Sequence, residues 1–232
     1  MYHAKLKQGL IGITILATAT LVNAHGDVAP QAVDTTGLPE TGEEWLTENP
    51  YRADVAGEEV WAKAVQIGAS GYNQNCARCH GLEVVSGGLA PDLRFLEAEE
   101  YGDEWYVERF RVGYTQNGIT KMPGFEEILS QDAAWAIRTY IETRPDDLVM
   151  EDYVAELAAM RDEMNGYATD ASGADTDAIK ARLTEIADEI PTMSGAPVAD
   201  SVAFRAANII DGSPEAYAAA AETLTIGLSA AQ

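Results

Sequence analysis

Apolar side chains recur at helical spacing in three stretches between residues 57 and 145. The first stretch runs toward Tyr72, the second ends at Gly113, and the third begins at Ser130. Serine is a favourable N-cap residue, and Pro145 cannot continue the third helix. The pattern predicts a mainly α-helical fold for this part of the chain, with three principal helices.

Residues 25–56, which precede these helices, show little periodicity because proline and glycine interrupt them repeatedly. We expect an extended N-terminal segment that wraps a helical domain formed by residues 57–145.

Beyond Pro145 the composition changes, since residues 146–232 contain many alanines and no cysteine, histidine or tryptophan. Helical patterns cover about residues 151–165, 176–190, 199–210 and 214–229. A partly ordered tail is the alternative, but apolar residues recur at helical spacing in the first two patterns: Val154, Leu157, Met160, Ile179, Leu183 and Ile186. We therefore predict that residues 146–232 form an acidic, alanine-rich helical extension.

The N-terminus, residues 1–24, has the pattern of a secretory signal peptide. Lys5 and Lys7 precede an apolar run from Gly9 to Val22, and small residues follow. We predict cleavage at the end of this segment. A retained membrane anchor is the alternative, but the apolar run is shorter than the roughly 18–20 residues that a membrane span needs. We expect a protein of the periplasm with no membrane span after cleavage.

Acidic side chains outnumber basic ones by 38 to 15, which gives a formal net charge of −23. Signal cleavage would remove two lysines and no acid, so the charge would become −25. The extension alone holds 17 acids and 4 bases. Such a field repels nucleic acid and anionic lipid, and it attracts basic protein surfaces. The charge therefore argues against nucleic-acid binding without identifying a protein partner.

Both cysteines of the chain lie in one short motif, Cys76-Ala77-Arg78-Cys79-His80. A structural zinc site needs four ligands, and the other histidines, His3 and His25, lie within or directly after the predicted signal peptide. A thioredoxin-like dithiol requires a preceding buried strand, whereas the residues before Cys76 have a helical and then a polar pattern. Both interpretations are disfavoured.

Cys-x-x-Cys-His is also the attachment signature of c-type haem. In this interpretation Cys76 and Cys79 form thioethers with one covalently bound haem c, and His80 is an axial ligand of its iron. Between residues 25 and 149 the only methionine is Met122, which lies in a Pro- and Gly-containing loop. We predict Met122 as the second axial ligand. The alternative is an open iron that binds small molecules, with Met122 packed nearby.

The motif and its surroundings resemble the class I cytochromes c. Gly68 and Tyr72 match the Gly-x-x-x-aromatic pattern of that family's first helix, in which the small residue lets the last helix cross closely. Ile137 and Tyr140 stand where the crossing partners are expected. The resemblance covers roughly residues 57–145 and implies a class I cytochrome c fold, with helices packed around one covalent haem.

The resemblance also implies the surroundings of the haem. Ala90-Pro91-Asp92-Leu93 is similar to the loop in which a proline carbonyl accepts the hydrogen bond of the axial histidine. That hydrogen bond would fix the imidazole of His80 and make it a stronger donor. The other expected pocket residues are apolar or aromatic: Leu93, Trp105, Phe110 and Tyr140.

A narrower similarity concerns four segments: His25–Val28, Val33–Gly37, Tyr72–Cys76 and Ser86–Leu93. They are similar to the PedF-type cytochromes c, periplasmic electron acceptors for alcohol dehydrogenases that contain pyrroloquinoline quinone (PQQ). The resemblance implies that a quinoprotein dehydrogenase donates electrons and that a cytochrome oxidase or other cytochrome accepts them. Residues 146–232 have no recognised counterpart, which leaves the specific partner open.

Three function classes follow from these patterns. The favoured class is an electron carrier and not an enzyme, because one haem motif is accompanied by one methionine and by no histidine or arginine candidate for a catalytic haem. The second class is a catalytic or gas-sensing haem protein. The third is a cytochrome subunit of a larger dehydrogenase or respiratory complex.

Overall fold

A computed structural model describes residues 30–230, so the predicted signal peptide and His25 lie outside the described residues. The described residues form the following helices and strands: α1 (Ala53–Ala56), α2 (Glu58–Asn75), α3 (Ala77–His80), α4 (Glu100–Val112), β1 (Tyr114–Gln116), β2 (Ile119–Met122), α5 (Gln131–Glu142), α6 (Asp147–Glu151), α7 (Val154–Tyr167), α8 (Thr176–Glu189), α9 (Val202–Ile209) and α10 (Pro214–Ala230). The predicted mainly α-helical fold is confirmed. Within residues 30–230, no helix has the length and apolar character of a membrane span.

The first half of the molecule is built on a close crossing of α2 and α5. A Cβ atom on Gly68 would lie 1.9 Å from the carbonyl oxygen of Ala136 and 2.9 Å from Cβ of Tyr140. A Cβ atom on Gly71 would lie 3.0 Å from Ile137. Only a residue without a side chain lets two helix backbones approach so closely. The predicted crossing is confirmed, and it fixes the end of α2 from which the cysteine motif continues.

The N-terminal segment follows an irregular path over α5 from residue 30 to residue 52, and α1 forms its last four residues, which the sequence pattern did not indicate. The amide of Thr41 donates to the carboxylate of Asp132 over 2.9 Å, and the amide of Leu46 donates to the side chain of Gln131 over 2.6 Å. Every residue of α5 except Asp132 is buried. The segment therefore closes the side of α5 that α2 leaves open.

A buried group of charges, which we call the Arg138 cluster, joins this segment to α4 and α5. It consists of Arg52, Asp103, Arg138 and Glu142. Arg138 Nε lies 2.8 Å from Asp103, and Arg52 bridges Asp103 and Glu142 at 2.8 Å each. Arg138 is fully buried, and its Nη1 has no hydrogen-bond partner among residues 30–230. Burial raises the pKa of Glu142, although the two arginines oppose that shift.

The extension has a hydrophobic core of its own, which runs from Met150 to Leu228. The predicted helical stretches correspond to α7, α8, α9 and α10, while α6 was not predicted. Local caps explain where two of them begin: the side chain of Asp175 accepts from the amide of Ala178, and that of Ser201 accepts from the amide of Phe204. The described part of the extension is therefore helical, as predicted.

Candidate functional site

The motif from Cys76 to His80 forms one helical turn directly after α2. The amides of Cys79 and His80 both donate to the carbonyl oxygen of Cys76, over 3.1 and 3.0 Å. Residues at positions i, i+3 and i+4 of a helical turn lie on the same side. The two thiols and the imidazole therefore share one face, and neither cysteine forms a disulfide.

The pKa of Cys76 helps to decide whether the two cysteines are covalent attachment points for haem or a redox-active dithiol. Burial, and secondarily the neighbouring Cys79, raises the pKa of Cys76 to about 12. A redox dithiol depends on a thiolate whose pKa is lowered. The environment of Cys76 therefore disfavours dithiol redox chemistry, in agreement with the expectation from its helical context.

His80 is oriented by a hydrogen bond to the backbone. Its Nδ1 lies 2.9 Å from the carbonyl oxygen of Pro91. A carbonyl oxygen only accepts hydrogen bonds, so Nδ1 carries the proton and Nε2 keeps its lone pair. The ring is 8% exposed. Pro91 thus has the hydrogen-bonding position that the family resemblance implies, and Nε2 is the nitrogen that can bind iron.

The Pro91 carbonyl belongs to residues 81–95, which we call the proximal loop and which return toward His80. Gly81 has φ +88°, and a Cβ atom there would lie 1.8 Å from the carbonyl oxygen of Val85. The hydroxyl of Tyr72 donates to the carbonyl oxygen of Gly81 over 2.8 Å. Glu83 and Val84 also have positive φ, 54° and 66°. A buried, β-branched residue such as Val84 is strained there, so surrounding contacts must hold the loop in this conformation.

Arg94 forms an ion pair with Asp92, the residue that follows Pro91. Its Nε and Nη2 donate to the two carboxylate oxygens of Asp92, over 3.0 and 2.6 Å. Burial opposes the ionisation of Asp92, but hydrogen bonds and charge from Arg94 outweigh it and keep the pKa of Asp92 below its usual value. Pro91 and Asp92 share a peptide plane, so this pair helps to direct the Pro91 carbonyl toward His80.

Met122 lies at the end of β2, opposite Tyr114 of β1. The expectation that Met122 lies on a loop is therefore wrong in detail, because an antiparallel hairpin presents it. Asn117 and Gly118 form the turn with φ of 52° and 75°. An Asn-Gly pair of this kind is a strong sequence signal for a hairpin, and it could have been recognised. Met122 is partly buried and packs against the core cluster that also receives Cys76.

The remaining candidate pocket residues belong to that same cluster. Leu93, Phe110 and Tyr140 are buried in it, and Trp105 packs against it while staying partly exposed. The ring of Tyr140 lies 5.5 Å from that of Tyr72. These contacts bring the predicted residues into one core, although they are also the contacts of ordinary core side chains.

Two residues near the site were not identified as candidates. Tyr106 is buried, and its hydroxyl donates to the carbonyl oxygen of Ala134 over 2.9 Å. The guanidinium of Arg109 lies 5.5 Å from the ring centres of both Trp105 and Tyr114. Arg109 thereby joins α4 to the hairpin that presents Met122. The spacing of four residues between Trp105 and Arg109 was the available sequence signal.

The residues present fit a covalent haem. Two thiols on the same face as an imidazole, with a thioether on the hairpin, form the donor set of a haem c with histidine and methionine ligands. Large apolar side chains are exposed in the proximal loop, at the end of α4 and in the hairpin: Leu82, Leu89, Phe95, Val112 and Ile119. Exposed apolar groups in such number mark a surface that a ligand or partner covers.

Comparisons with known proteins agree with this fit. The family model described as cytochrome c oxidase, cbb3-type, subunit III matches residues 63–141. Cytochrome c550 of Pseudomonas aeruginosa is 52% identical over 136 residues, which cover 59% of this chain and 92% of that protein. The family match thus contains α4, the hairpin and most of α2 and α5.

More distant similarities lead to larger proteins. Quinohemoprotein alcohol dehydrogenase ADH-IIG of Pseudomonas putida is 32% identical over 88 residues, 38% of this chain and 12% of that enzyme. Quinohemoprotein alcohol dehydrogenase ADH IIB, also of Pseudomonas putida, is 33% identical over 97 residues, 41% of this chain and 13% of that enzyme. The chain therefore spans only a small share of either dehydrogenase. No solved structure matches the chain.

Proposed function

The chain belongs to the cytochrome c family, and on that premise we propose that it is a periplasmic electron carrier with one covalently bound haem c. Cys76 and Cys79 would hold the haem through thioethers, and His80 and Met122 would bind its iron. The haem pocket includes four further residues: Pro91, Leu93, Trp105 and Tyr140.

A bound haem supplies a one-electron Fe(III)/Fe(II) couple. The observation that carries the proposal is the 2.9 Å hydrogen bond between His80 Nδ1 and the Pro91 carbonyl, beside two cysteines on the same helical turn. The bond orients the imidazole and increases its donor strength. A thioether is a weakly donating ligand, so Met122 would raise the reduction potential relative to a second histidine.

The proposed organisation of the chain supports this role. Residues 1–24 act as a cleaved signal peptide, which delivers the protein to the periplasm. Residues 25–56 form the N-terminal segment, residues 57–145 the haem domain, and residues 146–232 the acidic extension. The separate hydrophobic cores on either side of Pro145 support the boundary between the last two.

The proposed donor is an alcohol dehydrogenase that contains PQQ, and the proposed acceptor is a cytochrome oxidase or another cytochrome. Support for the donor comes from the similarity to short segments of two quinohemoprotein alcohol dehydrogenases. The net charge of −23 would steer a basic partner surface toward the protein and make association depend on salt.

A second candidate is a cytochrome subunit that stays bound in a larger complex. The description of the matching family model, which names an oxidase subunit, favours it. Size-exclusion chromatography of the native protein separates the two candidates. A free carrier elutes at the size of one chain, whereas a permanent subunit elutes with its partners.

Carbon monoxide distinguishes the electron carrier from an open, gas-binding haem. We expect the reduced protein to keep its absorption spectrum under carbon monoxide, because Met122 occupies the site where the gas would bind. Met122→Ala should bind carbon monoxide readily. Met160→Ala, which removes a partly buried methionine of the extension, is the matched control and should not. Carbon monoxide binding by the unmodified protein at neutral pH would contradict the proposed ligand set.

The proposed donor is tested by stopped-flow reduction of the full chain by purified quinoprotein alcohol dehydrogenases. We expect rapid reduction that slows as ionic strength increases, because salt screens the attraction between an acidic carrier and a basic docking surface. If these dehydrogenases reduce the protein no faster than unrelated electron donors do, the assignment of the donor is wrong.

A further inference from the structure

We propose that the acidic extension holds the proximal loop in the conformation that aligns His80, and that it thereby tunes the reduction potential of the haem. This inference rests on the proposed attachment of haem at the motif. The extension acts through the proximal loop, which carries Pro91.

The first connection runs through the guanidinium of Arg94. While Nε and Nη2 hold Asp92, Nη1 donates to the carboxylate of Asp147 over 2.8 Å. The side chain of Arg94 is 5% exposed, and that of Asp147 is 34% exposed. Asp147 is the first residue of α6 and lies in the extension. The planar, nearly buried guanidinium of Arg94 thus joins Asp92 to Asp147 of α6, which lies 53 residues beyond Arg94 in the chain.

The second connection holds the strained part of the proximal loop. Arg144 contacts Glu83 over 2.5 Å and Asp200 over 2.9 Å, and its side chain is 3% exposed. Arg205 of α9 reaches the other oxygen of Asp200 at 3.1 Å. Glu83 has positive φ, so it is one of the residues that need external support. Asp200 and Arg205 both belong to the extension.

A third connection uses the backbone. The amide of Ala98, just beyond the proximal loop, donates to the carbonyl oxygen of Ser194 over 2.9 Å. The hydroxyl of Ser194 donates to the carbonyl oxygen of Glu142, at the end of α5, over 2.5 Å. The extension therefore contacts the loop at its beginning, near Pro91 and just after its end.

The direction of the effect follows from the His80 hydrogen bond. A firm bond from Nδ1 to the Pro91 carbonyl makes the imidazole a stronger donor and favours Fe(III). If the extension releases Arg94, the guanidinium fixes Asp92 less firmly, the carbonyl of Pro91 gains freedom and the bond to His80 weakens. The reduction potential should then become more positive. Loss of a negative charge near the iron acts in the same direction, so charge and positioning must be separated by experiment.

The test compares three variants of the full-length protein with haem attached. Asp147→Asn removes the ion pair with Arg94 and leaves at most a weaker, neutral hydrogen bond, Asp147→Glu keeps a carboxylate there, and Glu151→Gln removes one exposed negative charge from the same helix. Two quantities are measured: the midpoint potential, and the exchange rate of the His80 Nδ1 proton by NMR. We expect Asp147→Asn to exchange several-fold faster than Glu151→Gln and to have the more positive potential, with Asp147→Glu close to the unmodified protein.

Equal exchange rates in Asp147→Asn and Glu151→Gln would overturn the inference, even if the potentials differ, because charge alone would then explain the difference. Far-UV circular dichroism of each variant verifies that the helices are intact. The proposed function fails separately: if the unmodified chain, produced with a haem-attachment system, carries no thioether-bound haem, then the premise itself is wrong.

Discussion

The two cores of this molecule are both helical, but they are stabilised in different ways. The core around α2, α4 and α5 combines tilted pairs of aromatic rings with the Arg138 cluster, in which the side chains of Arg138 and Asp103 are fully buried. The core of the extension consists mainly of alanine and aliphatic side chains. Its Arg182 pairs with Glu156 at the surface, where the arginine side chain is 34% exposed. Buried charge thus distinguishes the first core, and surface charge the second.

This difference shows where local rules are sufficient. Regular helices with side-chain caps and an apolar stripe describe the extension almost completely. In the first half, by contrast, the chain uses buried ions, a backbone crossing at Gly68 and residues with positive φ beside His80. Departures from local rules are concentrated in the half that carries the candidate site, which is where strain and buried polar groups serve a purpose.

The largest effect is expected when a buried charge is removed. Among the residues that the structure describes, Arg138→Met leaves Asp103 and Glu142 with only Arg52 as a cationic partner, so the free energy of unfolding should fall by about 3–5 kcal/mol. Denaturant unfolding followed by tryptophan fluorescence measures this loss in the first half alone, because all 4 tryptophans precede residue 146.

Arg182→Met is the matched change in the extension. Solvent screens its ion pairs, so the denaturation midpoint by far-UV circular dichroism should remain close to that of the unmodified protein. If both variants lose similar stability, the contrast between buried and surface charge is incorrect.

A smaller effect, of opposite sign in the two halves, is expected at two helical glycines. Gly68→Ala places a Cβ 1.9 Å from the carbonyl oxygen of Ala136, and the free energy of unfolding should fall by about 1–3 kcal/mol. The Cβ added by Gly166→Ala meets no atom of the described part of the chain within 4 Å, so this change should raise stability by about 0.5–1 kcal/mol. Thermal unfolding of both variants provides the comparison. A neutral Gly68→Ala would show that the helices separate easily.

The smallest effect concerns pH. The pKa of Asp92 is lower in the folded protein than in the unfolded chain, so its ionised form contributes stability above the unfolded pKa of about 3.9. That contribution is lost as pH falls through the lower, folded pKa. The difference in unfolding free energy between the unmodified protein and Asp92→Asn should therefore be constant near neutral pH and shrink below about pH 4.

Glu156→Gln is the counterpart in the extension, since a hydrogen bond from Arg182 also lowers the pKa of Glu156. The side chain of Glu156 is 42% exposed, so its contribution should be smaller at every pH. Denaturant titrations at several pH values measure both differences. A larger dependence for Glu156 than for Asp92 would reverse the comparison.

Most of the helices could be predicted because their signals are local. Ser130, for example, accepts from the amide of Ala133 and begins α5 where its N-cap preference predicts. The arrangement of the cysteine motif could be predicted equally well, since its spacing alone places Cys76, Cys79 and His80 on one face of a helical turn. The hairpin was not predicted, although Asn117-Gly118 is a typical hairpin turn. Pro123 and Gly124, which follow Met122, are more typical of a loop.

Other features could not have been predicted from a single sequence. Arg94 and Asp147 lie 53 residues apart, and neither has a pattern that identifies the other. Arg138 occupies a position on α5 that the apolar periodicity leaves polar, so a solvent-exposed arginine would have been the natural expectation. Both contacts depend on how separate elements pack, and that information appears only in three dimensions.

The enclosure of α5 also has a consequence for the stage of folding at which the motif can be modified. Cys76 packs against the core that α5 completes with α2 and the N-terminal segment. Until α5 has packed there, the thiol of Cys76 belongs to an unfinished core and is open to reaction. A system that attaches haem after export therefore has its easiest access before Gln131–Glu142 has folded against α2.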